Sequence, residues 1–347
     1  MMPQHVLLVT GGCGFIGANF IRHVLHHKPD WKVLNLDNLT YSANLDNLRD
    51  LEDTPQYHLV QGDIRNEGLV SSVLEENSVT GIVHFAAESH VDRSIAKSKV
   101  FVQTNVEGTH MLLECAAQYW RKRLSHDRSF RFVHISTDEV YGTLGPTGRF
   151  TEQSPMQPNS PYAATKAAAD LMARAFFETY GLPVLICRPS NNYGPYQYPE
   201  KFIPLLVTNL ILDQPLPIYG KGENVRDWIF VTDTCRAIDR VLEQGKPGQA
   251  YNIGGESEWR NIDVAGRLLE LFGKDESRLQ FVTDRPGHDW RYALDNHKIR
   301  TELGWRPNMG FETGLEETMR WYRENEWWWT PLKERLSEES KGFWSKP

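Results

Sequence analysis

The chain predicts an α/β protein: a doubly wound parallel sheet followed by a smaller C-terminal α+β substrate lobe. Three observations predict it. Strand-like and helix-like segments alternate through the first half of the 347 residues, the pattern of a parallel sheet covered on both faces. A glycine-rich turn joins the first apolar run to the first helix. From Arg188 onward Pro and Gly punctuate shorter apolar runs, so the texture changes.

The elements follow in order. Residues 5–10 (HVLLVT) form an apolar run that ends directly in Gly11, Gly12, Cys13, Gly14, Phe15, Ile16 and Gly17. Glycines 11, 14 and 17 give the spacing G-x-x-G-x-x-G. That spacing makes a tight turn, lets backbone approach a pyrophosphate and brings helix and strand close, which is the physics of a Rossmann-type dinucleotide site. The helix over 15–26 aims its positive N-terminus at the phosphates. A second strand, 32–36, ends in Asp37, about 20 residues after the loop, where a carboxylate hydrogen-bonds the adenosine ribose and repels a 2′-phosphate. No arginine stands directly beside it, so NAD is preferred over NADP.

Strands follow at 57–61, 81–87, 131–136 and 183–187, with helices between them at 99–118 and 161–180. The last of these helices is rich in alanine, which suits core packing or the helix bundle of a homodimer. We expect residues 1–190 to form the NAD-binding domain and 191–347 mainly a second, substrate-binding lobe. The chain is expected to return to the sheet near 226–253, through 228–231 and 250–253, with 311–325 a further candidate. Six of the eleven tryptophans lie beyond residue 300, and the run Trp327, Trp328, Trp329 is most simply packing of the last helix.

Composition excludes several classes. Forty per cent hydrophobic and 24% charged residues with a formal charge of −7 give no reason to expect nucleic acid or an anionic membrane as partner. Four cysteines (Cys13, Cys115, Cys187, Cys235) lack C-x-x-C spacing, which argues against a disulfide framework or a zinc site, and no metal is expected. No apolar run approaches the ~18 residues needed to span a bilayer, and no leader peptide is legible. A reducing cytoplasm fits.

The chemistry concentrates at 136–142 (STDEVYG). Asp138 and Glu139 close the strand at 131–136, and ligands of an open α/β sheet sit at strand carboxyl ends. Tyr162 and Lys166 follow four residues apart, on one helix face. Acid, base, phenol and ammonium suit oxidation, proton abstraction and leaving-group protonation on one substrate. A lone Asp-Glu pair would be read as a solvated turn; its company argues otherwise.

Ordered motifs extend the pattern: GGCGFIGANF, LDNLTYS, GDIRN, HFAAESHVDRSI, TNVEGT, HISTDEVYG, SPYAATKAAAD, RPSNNYGPYQYPEKFIP, GKGENVRDWIFVTD and DRPGHDWRYA. Through them, from the glycine loop to about Ala293, the chain resembles the extended short-chain dehydrogenase/reductase superfamily and, within it, the dTDP-glucose 4,6-dehydratase family. The resemblance implies that Phe15, Ile16, Asp37, Asn38, Leu39, Thr40, Asp63 and Ile64 contact the adenosine half of NAD. It implies that Ala86, Ala87, Thr104, Tyr162, Lys166 and Asn192 serve the ribose, nicotinamide and linking phosphates. Ser89, Thr137, Asn191, Lys201, Phe202, Pro217, Ile218, Tyr219, Arg226, Asn261, Arg285, Pro286, Gly287 and His288 would hold a nucleotide-diphosphate hexose. Cys13 stands where the family usually has alanine, and Trp290 where arginine is common.

The activity so implied is loss of water from C5 and C6 of the sugar after transient oxidation at C4. Tyr162 would be the phenolate base, its pKa lowered by Lys166 and the positive nicotinamide, and Thr137 would bond the C4 oxygen. Glu139 would take the C5 proton, and a neutral Asp138 would protonate the leaving hydroxyl. A 4-epimerase, a decarboxylase or a non-catalytic NAD-binding protein on the same fold remain alternatives, and a homodimer is expected.

Overall fold

Six apolar runs within residues 5–189 and one later strand pair into a seven-stranded parallel sheet in the computed structural model, which describes residues 5–124 and 129–343. The first unit is β1 (His5–Thr10), α1 (Phe15–His27) and β2 (Trp31–Asp37). β3 (Tyr57–Gln61), α2 (Glu67–Asn77) and β4 (Gly81–His84) complete one wing of the sheet. Two short helices, α3 (Val91–Ala96) and α4 (Ser98–Phe101), precede α5 (Thr109–Tyr119). β5 (Arg131–Ile135), α6 (Pro161–Tyr180) and β6 (Val184–Pro189) build the other wing. Strand order is β3-β2-β1-β4-β5-β6 with one further strand at the β6 edge. The chain reverses direction across the sheet between β1 and β4, and that switch point opens a crevice beyond the strand ends. Both faces are covered: β4 and β6 are buried along their whole length, which is why they read as continuous apolar runs.

The expected helix over 99–118 is not one helix. Between α4 and α5 the backbone widens into a π turn, Val102–Gly108. The widening carries Thr104 and the buried Asn105, whose Nδ2 donates to the Glu88 carbonyl at 3.0 Å and to Thr165 Oγ1 at 2.9 Å. Such bulges occur where a helix must serve a site as well as pack, and apolar periodicity cannot reveal them.

The second half supplies β7 (Asn191–Tyr193), α7 (Phe202–Ile211), β8 (Leu216–Tyr219), β9 (Val225–Phe230), α8 (Val231–Gln244) and β10 (Ala250–Ile253). β11 (Glu258–Arg260), α9 (Asn261–Phe272), β12 (Leu279–Val282), α10 (His297–Leu303), α11 (Phe311–Glu324) and α12 (Glu326–Phe343) follow. Of the two strand segments expected to rejoin the main sheet, 250–253 does so as the edge strand β10. The other does not: β9 lies between β7 and β11 in a separate three-stranded sheet. Its Trp228 and Phe230 pack with Tyr193 and Phe311 in a second core, so burial there outweighs continuation of the first sheet. α11 also joins that second core, through Phe311, Leu315 and Tyr322, rather than the main sheet. Trp328 and Trp329 are buried in it, whereas Trp327 is exposed. Trp328 Nε1 donates to Asn47 Oδ1 at 2.9 Å, tying α12 back to the N-terminal half. Among the described residues no helix is long and apolar enough to cross a membrane.

Candidate active site

The glycine turn shapes one end of a cleft of about 300 Å³ at the switch point. Gly11 adopts φ +72°, and a Cβ on Gly17 would stand 2.4 Å from the Gly11 carbonyl oxygen. No side chain larger than hydrogen fits there. Gly14 caps α1 without a side-chain hydrogen bond, so the first-turn amides have no side-chain cap and suit a phosphate. Asp37, at the end of β2, accepts from the Cys13 amide and the Leu39 amide, both at 2.8 Å, and burial pushes its carboxyl upward. Leu39 takes the left-handed conformation, φ 54°, beside it.

Gly11, Gly14, Phe15, Ile16, Gly17, Asp37, Asn38, Thr40, Asp63, Ile64, Ala86, Ala87, Thr104 and Asn192 all line this cleft. So do Ser89, Thr137, Asp138, Glu139, Tyr162, Lys166, Asn191 and Lys201. Leu39 is not on its wall. The expected nucleotide half and the expected reacting groups therefore share one cavity, although they come from six strand ends, the π turn that carries Thr104, α6 and the start of α7.

The reacting end is built on a 3₁₀ turn, Asp138–Tyr141, directly after β5. Thr137 caps it: its Oγ1 accepts from the Glu139 amide at 3.3 Å and donates to Asp138 Oδ1 at 3.2 Å. Asp138 is 2% exposed and its Oδ2 has no hydrogen-bond partner among the described residues. Burial, then the neighbouring Glu139 and Asp227, push its carboxyl well above the usual range. Glu139 is raised too, by burial, but Arg285, Arg226 and Lys201 pull it back. The two neighbours thus have different environments, the usual way one fold obtains an acid and a base from like groups.

Tyr162 and Lys166 occupy the start of α6, which Ser160 caps through the Ala163 amide at 3.1 Å, with Pro161 at the first helical position. Burial, then Glu139, raise the Tyr162 phenol, and the Thr137 hydroxyl works against them. On the same helix, the Lys166 Nζ donates to the Ile135 carbonyl at 2.5 Å. Burial lowers the ammonium to about 8.

The remaining expected substrate residues sit outside the cleft wall, on the second lobe. Arg226 is buried and stacks over the Tyr292 ring at 4.4 Å, while its Nη2 donates to the Asp289 carbonyl at 3.0 Å. Arg285 faces Asp92 at 3.4 Å, and Tyr219 donates to the same carboxylate at 3.1 Å. His288 Nδ1 lies 2.7 Å from Asp284 and its ring meets Tyr219 edge-on. Pro286 and Gly287 are exposed, Pro217 and Asn261 half-buried. Ile218 is 1% exposed within the second core and Phe202 stacks on Trp228, so neither offers a free side chain to the cleft.

Several cleft residues escaped the sequence reading: Ser42, Ser136, Ser190, Gln197 and Tyr198. Asp227, which raises Asp138, escaped as well. Its one signal was adjacency to Arg226.

The chain resembles known proteins over nearly its whole length. Residues 8–318 match the family model of GDP-mannose 4,6 dehydratase. A dTDP-glucose 4,6-dehydratase of Xanthomonas campestris pv. campestris is 51% identical over 92% of this chain and 94% of its own. One from Escherichia coli is 46% identical, covering 93% and 95% respectively. The crystal structure of a dTDP-glucose 4,6-dehydratase from Streptomyces venezuelae with NAD bound superposes with a TM-score of 0.89 at 52% identity, over 94% of this chain and 99% of that one. With the glycine cradle, the buried Asp138–Glu139 turn and the Tyr162–Lys166 helix meeting in one cleft, the chain belongs to the dTDP-glucose 4,6-dehydratase family of extended short-chain dehydrogenases/reductases.

Proposed function

We propose that this chain is an NAD-dependent hydro-lyase that converts dTDP-glucose to dTDP-4-keto-6-deoxyglucose and water. The observation that carries the reading is the carboxyl pair of buried Asp138 and half-buried Glu139 in the same cleft as Tyr162 and the glycine cradle. A C6 hydroxyl does not leave an unactivated hexose; a C4 ketone first acidifies the C5 proton. NAD, when bound, takes a hydride from C4 and returns one to C6, so it ends as it began. The hydrogen-only space at Gly11 and Gly17 and the carboxylate of Asp37 fit such a dinucleotide.

In this reading Tyr162, as the phenolate, receives the C4 hydroxyl proton, with Thr137 bonding the C4 oxygen. Burial resists ionisation of this phenol, and the Thr137 hydroxyl offsets part of that resistance. Glu139 takes the C5 proton, helped by three cations that favour its charged form beforehand. Asp138, kept neutral by burial and two like charges, delivers a proton to the departing C6 oxygen. Arg226, Arg285 and Lys201 neutralise the diphosphate; arginine suits it as a permanent, bidentate donor. The thymidine base is inferred from the named relatives. We further infer a cytoplasmic homodimer. Support for the dimer is the groove between α5 and α6, lined by His110, Arg121, Met172 and Phe176, with exposed Leu171 and Tyr180 on the same helix.

The test is direct: purified protein is incubated with dTDP-glucose without added cofactor and product mass is followed. Loss of one water is expected. An isobaric product would indicate epimerisation, and no reaction would overturn the reading.

A further inference from the structure

Beneath the cleft runs a line of buried polar groups that no step above uses. Tyr141 ends the 3₁₀ turn that carries Asp138 and Glu139. Its hydroxyl accepts from Arg188 Nη1 at 2.7 Å and donates to Asn252 Oδ1 at 2.7 Å. Arg188, on β6, donates through Nε to Asp170 Oδ2 at 2.8 Å. Asp170 stands one helical turn beyond Lys166 on α6, with His134 Nε2 3.3 Å from its other oxygen. Asn252, on β10, donates to the Phe150 carbonyl at 2.9 Å. Each side chain in the line is buried, and none lines the cleft.

We propose that Tyr141 is a positioning residue for the elimination step, holding the Asp138–Glu139 turn in register with α6 through Arg188 and Asp170. The inference rests on reading Asp138 and Glu139 as the acid and base. A four-residue 3₁₀ turn has little hydrogen bonding of its own, and Thr137 is its one side-chain cap. Two carboxyls serving adjacent carbons need geometry held to a fraction of an ångström, which a turn alone does not give. The phenol oxygen fastens the turn's last residue to two strands at once, and the guanidinium carries that anchor to the helix bearing Tyr162 and Lys166. Hydride transfer at C4 depends on α6, the cofactor cradle and Thr137, which stands at the β5 end of the turn; none of these takes a side-chain bond from Tyr141. Losing the anchor therefore separates the two steps.

The experiment uses Tyr141→Phe, which removes one oxygen and both bonds, beside Asp138→Asn. In a single turnover of dTDP-glucose, nicotinamide absorbance reports C4 oxidation, and exchange of deuterium from solvent into C5 reports the action of the turn. In Tyr141→Phe we expect C4 oxidation at the parental rate, elimination slowed up to about 100-fold, reduced cofactor accumulating, and KM unchanged. Equal slowing of both steps, or no slowing, overturns the proposal. If Asp138→Asn itself fails to separate the steps, the acid–base reading falls and this inference with it; separation there but not in Tyr141→Phe removes Tyr141 alone. Should Tyr141→Phe not fold, Asn252→Ser, which removes the acceptor, must show the same separation to a smaller degree, and its absence is decisive against the anchor.

Discussion

Asp138 and Asp170 are both all but inaccessible to water, yet the two regions around them push in opposite directions. Around Asp138 the near neighbours include the like charges Glu139 and Asp227, and the carboxyl is driven up toward the neutral acid. Around Asp170 burial works the same way, but the Arg188 guanidinium and His134 override it and hold the carboxyl below the usual range. Burial therefore sets the stakes and the partner sets the sign. An unpaired buried acid makes a proton donor; a paired one makes a strut.

The largest effect that would sharpen this contrast comes from Asp138→Asn. Turnover should fall about 10²–10⁴-fold, the range for a lost general acid, while C4 oxidation survives. Unchanged turnover would remove Asp138 from the role. On the paired side, Arg188→Met strips Asp170 of its cation and should cost about 3–5 kcal/mol of stability, read by urea unfolding. A loss under about 1 kcal/mol, the size of an ordinary exposed pair, would show that the two regions differ less than their partners suggest.

A smaller effect is expected from Thr137→Val, which keeps shape and removes the hydroxyl that eases Tyr162 ionisation. Turnover should drop by about tenfold, the worth of one hydrogen bond, and the acidic limb of its pH profile, where the phenol must lose its proton, should move to higher pH. A pH profile that does not move would place the control of the phenol elsewhere. Smallest is Asp227→Asn. Burial pushes the Asp227 carboxyl up to about 7. Between the ordinary value of about 4 and 7, the folded chain keeps a proton that the unfolded chain has lost, so stability falls as pH rises through that window. The variant should flatten this fall in thermal unfolding; an equally steep fall would assign the slope to another group.

Much of the scaffold was readable from local pattern. The strand-turn-helix at residues 5–27, the acid closing β2 and the Tyr-x-x-x-Lys spacing on α6 depend on neighbours within a few positions, where sterics and helical period act. The π turn at Val102–Gly108 was not readable, because it answers to contacts with Glu88 and Thr165. Nor was the place of β9, a strand by composition whose sheet was chosen by Tyr193 and Phe311. The site divides likewise. Most residues named for the dinucleotide meet in the cleft, but Ile218 and Phe202 turn their side chains into the second core.

Residue order alone settled the element types, the turn that only glycine can make, and which chemical groups are carried near which strand ends. It named Asp138 as the acid but could not say what would drive that carboxyl up, nor that the equally buried Asp170 would be held down. That was decided when Asp227 arrived beside Asp138 and Arg188 beside Asp170, after α6 and the second lobe had packed. Proton affinity depends on solvent exclusion and on charges a few ångströms away, and distances between remote parts of a chain exist only once it has folded.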